Sequence, residues 1–218
     1  DRYEHYHRKE ERIPFDIDIL NKITKGGIPR KSMTVLLATT GGGKSLLKCH
    51  FAANHLMYGK NVLYITMEMA AEEIGRRIDA NIMDITLDEV AEVPRDVFEK
   101  RMNRYKSKTT GKLVIKEFPT GSANSGHFRH LLNELKLKKN FAPDVIYLDY
   151  LNICSSARVK GAAAANSYTL VKSIAEEVRG LAMEYNCAIV TSSQYNRDAY
   201  GNSDVDLTNT SESMGITH

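Results

Sequence analysis

A glycine-rich stretch that ends in lysine and serine has the composition of a phosphate-binding loop. It reads ATTGGGKS from Ala38 to Ser45, directly after the apolar stretch MTVLLA and directly before a helical pattern. Glycines let backbone N–H groups turn towards a polyphosphate, and the N-terminus of the next helix adds partial positive charge. We expect Lys44 to contact the β- and γ-phosphates and the Ser45 hydroxyl to bind Mg²⁺. The pattern predicts a site for Mg²⁺ and ATP, or another nucleoside triphosphate, formed by Ala38, Thr39, Thr40, Gly41, Gly42, Gly43, Lys44, Ser45 and Leu46.

The first position of this loop departs from the usual pattern, which begins with glycine where this chain has Ala38. The added methyl group removes easy access to a positive φ angle at that position. The amides that face the phosphates come mainly from later positions, so we expect the change to be tolerated. The alternative is a glycine turn with a chance Gly-Lys-Ser, which the strand before it and the helix after it disfavour.

A carboxylate ends the predicted strand DVIYLDYL. We interpret Asp149 as a second Mg²⁺ ligand beside Ser45, because a charge that follows mostly apolar residues needs a partner and Mg²⁺ supplies one. The alternative is an aspartate that caps a turn at the end of the strand.

Two further polar residues end strands in the same way. Glu68 follows the strand NVLYITM and could polarise the water that attacks the γ-phosphate; alternatively it is a first-turn acid of the next helix. Gln194 ends VTSSQ and could contact the γ-phosphate; alternatively it is a solvated amide. With Lys44 these are the candidate catalytic residues, and such ends of parallel strands are where open α/β sheets bind ligands.

The elements that would position these residues alternate along the chain. Apolar strands are predicted at 33–38, 61–67, 113–118, 144–151 and 187–192, with helical patterns between them. Strands that are apolar on both faces and alternate with helices indicate an α/β fold, a mainly parallel sheet with helices on both faces. The fold class expected is therefore that of a P-loop NTPase.

Length and composition indicate one globular domain. The chain has 218 residues, of which 42% are hydrophobic and 26% charged, and a net charge of +3 that permits nucleic-acid binding without arguing for it. We predict a linker at residues 1–14 and an ATPase domain at residues 15–218. The scattered cysteines indicate reduced thiols of a cytoplasmic protein, and no apolar run approaches the ~20 residues that span a membrane.

Taken together, these motifs resemble those of the DnaB-type hexameric replicative helicases, and most closely those of the helicase of T-even-like phages. The segments that carry the resemblance, in order, are PFDIDILNKITKGGIPRKS, GGGKS, VLYITMEMA, VIYLDYLNIC and TSSQYNR. The resemblance implies a RecA-like motor domain of an ATP-dependent 5′-to-3′ DNA helicase that forms a homo-hexamer and translocates on single-stranded DNA. It also implies Glu68 as catalytic carboxylate, Gln194 as γ-phosphate sensor, primase and a helicase loader as partners, and the host bacterial cytoplasm as location.

The resemblance places DNA contacts in two polar loops. One spans residues 155–166 with Arg158 and Lys160, and the other follows Gln194 with Arg197. Both loops are expected to carry isolated basic residues without nearby acids, and such residues can bind backbone phosphates. The alternatives are a solvated loop for Arg158 and Lys160, and pairing with a neighbouring aspartate for Arg197.

The sequence assigns no functional role to several other basic residues. Arg77 matches a family position, but we assign it no catalytic role, because Glu73 and Arg77 form an ordinary i,i+4 pair on a helix. The basic residues from Arg101 to Lys108 are typical of a solvated helix end.

Two other functions remain open from the sequence: a RecA- or RadA-like strand-exchange recombinase, and a nucleotide-switched regulatory ATPase that never binds DNA. A recombinase would form open filaments, whereas a helicase would form closed rings. Relative to the family, the chain lacks the N-terminal collar and the later segment with an arginine finger, so we expect a fragment. Loss of such a finger slows hydrolysis by ~10³–10⁵.

Overall fold

The computed structural model describes residues 11–161 and 167–194, together with Tyr3. The strands are β1 (Arg12–Ile13), β2 (Ile28–Pro29), β3 (Met33–Ala38), β4 (Val62–Thr66), β5 (Leu113–Glu117), β6 (Val145–Asp149) and β7 (Ala188–Gln194). The α-helices are α1 (Asp18–Ile23), α2 (Lys44–Met57), α3 (Ala71–Met83), α4 (Leu87–Glu92), α5 (Arg95–Lys106), α6 (Ser125–Lys139) and α7 (Ser167–Glu184), and a 3-10 helix covers Leu151–Ile153.

Five strands form a parallel sheet in the order β3-β7-β6-β4-β5. The register places Ala38 opposite Gln194, and Thr66 opposite Asp149. The residues that end β3, β7, β6 and β4 therefore lie along one edge of the sheet. The predicted α/β fold with a mainly parallel sheet is confirmed.

The sheet separates two hydrophobic cores because its side chains alternate between the two faces. On β4, Leu63 and Ile65 contact α6 and α7, whereas Val62 and Tyr64 contact α2 and α3. Every residue of β4 and β6 is buried, which explains why these strands are apolar on both faces. The α2–α3 layer and the α6–α7 layer thus cover opposite faces of the same sheet.

A small antiparallel pair ties the N-terminal segment to the α2–α3 side. β1 pairs with β2, and Ile13 and Phe15 are buried in the core there. Gly27 has a φ of +121°, and a Cβ at this position would lie 2.1 Å from the Ile13 carbonyl oxygen, so only glycine is accommodated beside β1. Arg12 and Ile13, which the sequence placed in a linker, therefore pack with the domain.

His55 connects this segment to the sheet through two hydrogen bonds. Its Nε2 lies 3.1 Å from the Pro14 carbonyl oxygen, and its Nδ1 lies 2.7 Å from the Tyr147 hydroxyl. A carbonyl can only accept, so Nε2 carries the proton and Nδ1 accepts from Tyr147. Burial lowers the pKa of His55 to about 4, although the Pro14 carbonyl acts in the opposite direction.

We therefore expect His55 to reduce stability as the pH falls from about 6.5 to about 4. The unfolded chain binds a proton at His55 near pH 6.5, whereas the folded chain does so only near pH 4. The expected loss is roughly 3 kcal/mol. Urea unfolding at several pH values should show a shallower loss in His55→Gln, which keeps a donor and an acceptor but does not titrate.

The comparison with the variant isolates His55 from other titrating groups. Burial raises the pKa of Asp79 to about 6, and this group contributes a slope of opposite sign over part of the same range. Equal pH slopes in the wild-type protein and His55→Gln would show that His55 is not the group responsible.

The sequence did not predict the short helices α1 and α4. Each has six residues, which is too short for a clear helical period. A signal for α4 was nonetheless present, because Thr86 and Glu89 form a reciprocal capping box. Among the described residues, no helix is long and apolar enough to cross a membrane.

Candidate functional site

The predicted phosphate-binding loop connects the end of β3 to the start of α2. Gly41 and Gly43 have φ angles of +76° and +77°, which glycine adopts without strain. Gly43 caps α2 in a left-handed conformation, without a side-chain cap for the first turn of the helix. The first-turn amides of α2 are therefore available to an anion. Ala38 is the last residue of β3 and does not need the positive φ that a glycine there would allow.

The Lys44 side chain curls back over its own loop. Its Nζ donates to the carbonyl oxygens of Ala38 at 3.0 Å and Thr39 at 2.6 Å. Burial lowers the pKa of Lys44, while Glu68 and Asp149 act in the opposite direction. The ammonium group therefore lies at the mouth of the loop and within the field of both predicted carboxylates.

A cavity of about 290 Å³ opens over this loop. Its walls are formed by Thr40, Gly41, Gly42, Gly43, Lys44, Ser45, Leu46, Glu68, Met69, Arg77 and Gln194. The cavity thus brings together most of the residues predicted for nucleotide binding with all three predicted catalytic residues, Lys44, Glu68 and Gln194. Ala38 and Thr39 lie beneath it as acceptors for Lys44, and Asp149 does not line it.

Glu68 is held at this cavity by the turn after β4. The Thr66 hydroxyl donates to the Met69 carbonyl oxygen at 2.7 Å and accepts from the Met69 amide at 3.1 Å. Met67 is buried, whereas Glu68 is exposed and makes no hydrogen bond or ion pair with the residues described. A carboxylate held in this way can accept a hydrogen bond from water beside the γ-phosphate.

Gln194 lies beside the phosphate-binding loop. It ends β7 next to Ala38, and its Oε1 accepts a hydrogen bond from the Thr40 hydroxyl at 3.2 Å. The loop and the end of β7 are therefore in direct contact, as a γ-phosphate sensor requires.

Asp149 is buried in a polar network that the sequence did not predict. Its Oδ1 accepts from the Lys48 ammonium group, which also donates to the Ser192 hydroxyl at 2.7 Å. Its Oδ2 accepts from the Tyr64 hydroxyl at 3.3 Å. Lys48 is 0% exposed and Asp149 is 1% exposed, so the pair is shielded from solvent.

Lys48 provides the partner charge that the sequence argument assigned to Mg²⁺, so that argument does not support a metal ligand at Asp149, and this role stays a prediction. A signal for Lys48 was available in the sequence. It lies one helical turn after Lys44, among positions that are apolar and face the sheet, where a lysine requires a buried anion.

Arg77 lines the cavity, although the sequence analysis assigned it no role. Its Nε is buried and has no hydrogen-bond partner within the described residues. An orphaned guanidinium donor beside open glycine amides and Lys44 fits a polyanion. The donor set of this cavity is thus suited to the phosphates of a nucleotide, and the Ser45 hydroxyl adds an oxygen ligand of the type that Mg²⁺ prefers.

The loop after β6 is described as far as Gly161. Arg158 and Lys160 are exposed there, and Arg158 lies 3.6 Å from Glu176 on α7. The prediction that no acid lies near this loop was therefore wrong for Arg158, because the fold brings Glu176 to it. Arg197 lies outside the described residues.

A larger cavity of about 640 Å³ lies elsewhere, between the end of α2, the end of α5 and the start of β5. Leu56, Ile82 and Phe141 are among its mainly apolar walls. It has no glycine-rich loop at a helix N-terminus, so it lacks the features that bind phosphates.

A profile described as the DnaB-like helicase C terminal domain matches residues 13–213. The chain is 46% identical over 214 residues to a DnaB-like replicative helicase of Enterobacteria phage T4, covering 97% of this chain and 45% of that protein. It is 26% identical over 204 residues to a probable plasmid replicative DNA helicase of Chlamydia psittaci, covering 88% of this chain and 43% of that protein. The chain thus spans less than half the length of these curated relatives.

Solved structures give the same fold. A DnaB-like replicative helicase described with its primase interactions matches with a TM-score of 0.74 and 16% identity, over 98% of this chain and 51% of that chain. A second solved structure, described as an ATPase domain, matches with a TM-score of 0.75 and 16% identity, over 99% of this chain and 76% of that chain. The fold is therefore that of the RecA-like ATPase domains.

Proposed function

This chain belongs to the DnaB-like helicase C-terminal domain family, and from that premise we propose that it is the motor of a replicative DNA helicase. It binds MgATP at the cavity over the phosphate-binding loop and uses hydrolysis to translocate on single-stranded DNA and separate the duplex. The observation that carries this proposal is the convergence of Lys44, Glu68 and Gln194 on that one cavity.

Each of these residues has a distinct task in the proposed reaction. The α2 amides and Lys44 bind the β- and γ-phosphates and stabilise the charge that develops during phosphoryl transfer. Glu68 orients the attacking water and accepts its proton, because it faces the cavity without a competing partner. Arg77 lines the same cavity and adds positive charge there.

The Ser45 hydroxyl would hold Mg²⁺, with Asp149 as the second proposed ligand. When bound, Mg²⁺ neutralises phosphate charge and orients the reacting groups. Lys48 and Tyr64 donate to the two Asp149 oxygens and fix the position of this carboxylate.

The ends of β6 and β7 link the nucleotide cavity to the proposed DNA loops. Gln194 contacts Thr40 of the phosphate-binding loop, and the chain then enters the segment that contains Arg197. Ser193 donates to Asn152 Oδ1 at 2.8 Å, which connects β7 to the 3-10 helix before Arg158 and Lys160. Loss of the γ-phosphate at Gln194 would thus shift both segments together.

The wider assembly is proposed from the family. We propose a homo-hexameric ring with 5′-to-3′ polarity that works with primase and a helicase loader in the host bacterial cytoplasm. Family membership favours this helicase over a strand-exchange recombinase or a regulatory ATPase that does not bind DNA.

Removing the two described loop cations should weaken binding of single-stranded DNA and reduce its salt dependence. Each lost phosphate contact reduces the slope of log affinity against log salt by about 0.7, so Arg158→Ala/Lys160→Ala should reduce it by about 1.4. Fluorescence anisotropy of a labelled oligothymidine, with a non-hydrolysable ATP analogue bound, measures this slope.

Lys106→Ala/Lys108→Ala is the matched control, because it removes the same charge from the end of α5 and the turn after it. It should leave the slope nearly unchanged. Equal effects of the two double variants would mean that DNA responds to net charge and that the loop is not a DNA contact.

A further inference from the structure

Helix α7 presents two adjacent glutamates to the loop that follows β6, and they have opposite surroundings. Glu177 is 6% exposed and lies beneath the loop. Glu176 is more than half exposed and lies 3.6 Å from Arg158. Among the described residues, none that lines the nucleotide cavity is hydrogen-bonded to either carboxylate.

The Glu177 carboxylate is bound by the backbone of the loop. The Ala157 amide donates to both carboxylate oxygens, at 3.2 and 3.0 Å, and the Arg158 amide donates to Oε1 at 3.3 Å. The hydroxyls of Ser125, Ser156 and Ser173 also donate to this carboxylate. Glu177 has no ion pair within the part of the chain that the structure describes. A buried carboxylate that accepts from amide and hydroxyl donors is a strong anchor for the backbone that supplies those donors.

Ser156 extends the anchor to the next residues. Its hydroxyl donates to Glu177 Oε1 at 2.6 Å and accepts from the amides of Arg158 at 3.1 Å and Val159 at 2.9 Å. On the other side, the Ser155 amide donates to the Ala123 carbonyl oxygen at 2.9 Å. The backbone of residues 155–159 is therefore fixed against α6 and α7, while the Arg158 side chain is 64% exposed.

Burial raises the pKa of Glu177, but the hydrogen bonds from Ser125, Ser156 and the loop amides outweigh it, so its pKa is lowered. The carboxylate therefore stays ionised and keeps accepting from the loop at neutral pH.

We propose that Glu177 is a positioning residue for single-stranded DNA, and that Glu176 holds the Arg158 guanidinium until a backbone phosphate displaces it. The inference rests on the proposed DNA-binding function. Glu177 and Ser156 hold the backbone of Arg158 in place. The Arg158 side chain is thereby positioned to face single-stranded DNA in one orientation. The separation of 3.6 Å between Arg158 and Glu176 exceeds hydrogen-bonding distance, and a phosphate that bonds the guanidinium in a bidentate way replaces this contact.

Isosteric variants of the two neighbours separate these roles. Glu177→Gln puts an NH₂ group against loop N–H donors and should weaken oligothymidine binding about fivefold near 0.1 M salt, the effect of one lost phosphate contact. Glu176→Gln removes the same charge from the same helix but should tighten binding about twofold. The affinity for a fluorescent ATP analogue should be unchanged in both.

A double-mutant cycle distinguishes positioning from general damage to the fold. If Glu177 acts through Arg158, then Glu177→Gln/Arg158→Ala should bind DNA no more weakly than Arg158→Ala alone. Fully additive losses, or weaker binding in Glu176→Gln, would overturn the inference. If Arg158→Ala binds DNA with wild-type affinity, Arg158 does not contact DNA. That result would contradict the proposed DNA-binding function of the loop itself, and it is distinguishable from a failure of the role of Glu177 alone.

Thermal unfolding checks that each variant is folded at the temperature of the binding assay. If Glu177→Gln is unfolded at that temperature, Ser156→Ala replaces it in the cycle. Ser156→Ala removes only the hydroxyl that is hydrogen-bonded to Glu177 and to the amides of Arg158 and Val159. A wild-type affinity for DNA in Ser156→Ala would then contradict the proposed positioning.

Discussion

Glu68→Gln is expected to leave ATP bound and to slow ATP hydrolysis by about 10²- to 10⁴-fold. The amide has the shape of the carboxylate but cannot accept a proton from the attacking water. Glu68 is exposed at the cavity that contains Lys44, and it has no partner within the described residues that would divert it. Single-turnover hydrolysis, together with the affinity for a fluorescent ATP analogue, measures the two effects separately.

Glu72→Gln is the matched control for this variant. Glu72 is also exposed and lies in the first turn of α3, but it does not line the cavity. It should hydrolyse ATP at nearly the wild-type rate. Similar rates in the two variants, whether fast or slow, would remove Glu68 from the chemistry.

Lys48→Met is expected to destabilise the fold by about 3–5 kcal/mol, because it leaves Asp149 charged and buried without its cation. Burial lowers the pKa of Lys48, and Asp149 acts in the opposite direction, as expected for a buried ion pair. Lys48→Met/Asp149→Asn removes both charges and should recover most of the lost free energy of unfolding. Urea unfolding of the two variants and the wild-type protein measures these differences.

Lys44→Met serves as the control on the same helix. Lys44 is partly exposed and donates only to loop carbonyls, so its removal should cost less stability and should instead weaken nucleotide binding. A wild-type free energy of unfolding for Lys48→Met would mean that Lys48 and Asp149 do not form the buried pair.

The sequence was sufficient to predict the sheet and the position of the glycine-rich loop between β3 and α2, because both depend on contiguous residues. The apolar runs at β4 and β6 and the glycines before Lys44 are local patterns, and they lie where those patterns predict. Ala38 was the one apparent defect in the loop. The backbone accommodates Ala38, because the residue ends a strand and needs no positive φ.

The sequence was insufficient where a partner comes from a distant element. Asp149 was assigned Mg²⁺ as its partner charge because Lys48, which is 101 positions away, is brought to it only by packing α2 on the sheet. Arg158 was expected to have no acid nearby for the same reason, since Glu176 reaches it from the next helix. Arg77 illustrates the same limit. Spacing on α3 suggests a pair with Glu73, whereas the packing of α3 beside α2 makes Arg77 line the cavity.

The most direct test of the proposed motor is the rate of ATP hydrolysis by this chain with and without single-stranded DNA, with Glu68→Gln measured in parallel. We predict that DNA accelerates hydrolysis by the wild-type protein, and that Glu68→Gln lowers both the basal and the stimulated rate by about 10²- to 10⁴-fold. Arg158→Ala/Lys160→Ala should require more DNA for the same stimulation. A hydrolysis rate that depends on Glu68 but is the same with and without DNA at low salt would contradict a DNA-coupled motor, and would favour a regulatory ATPase.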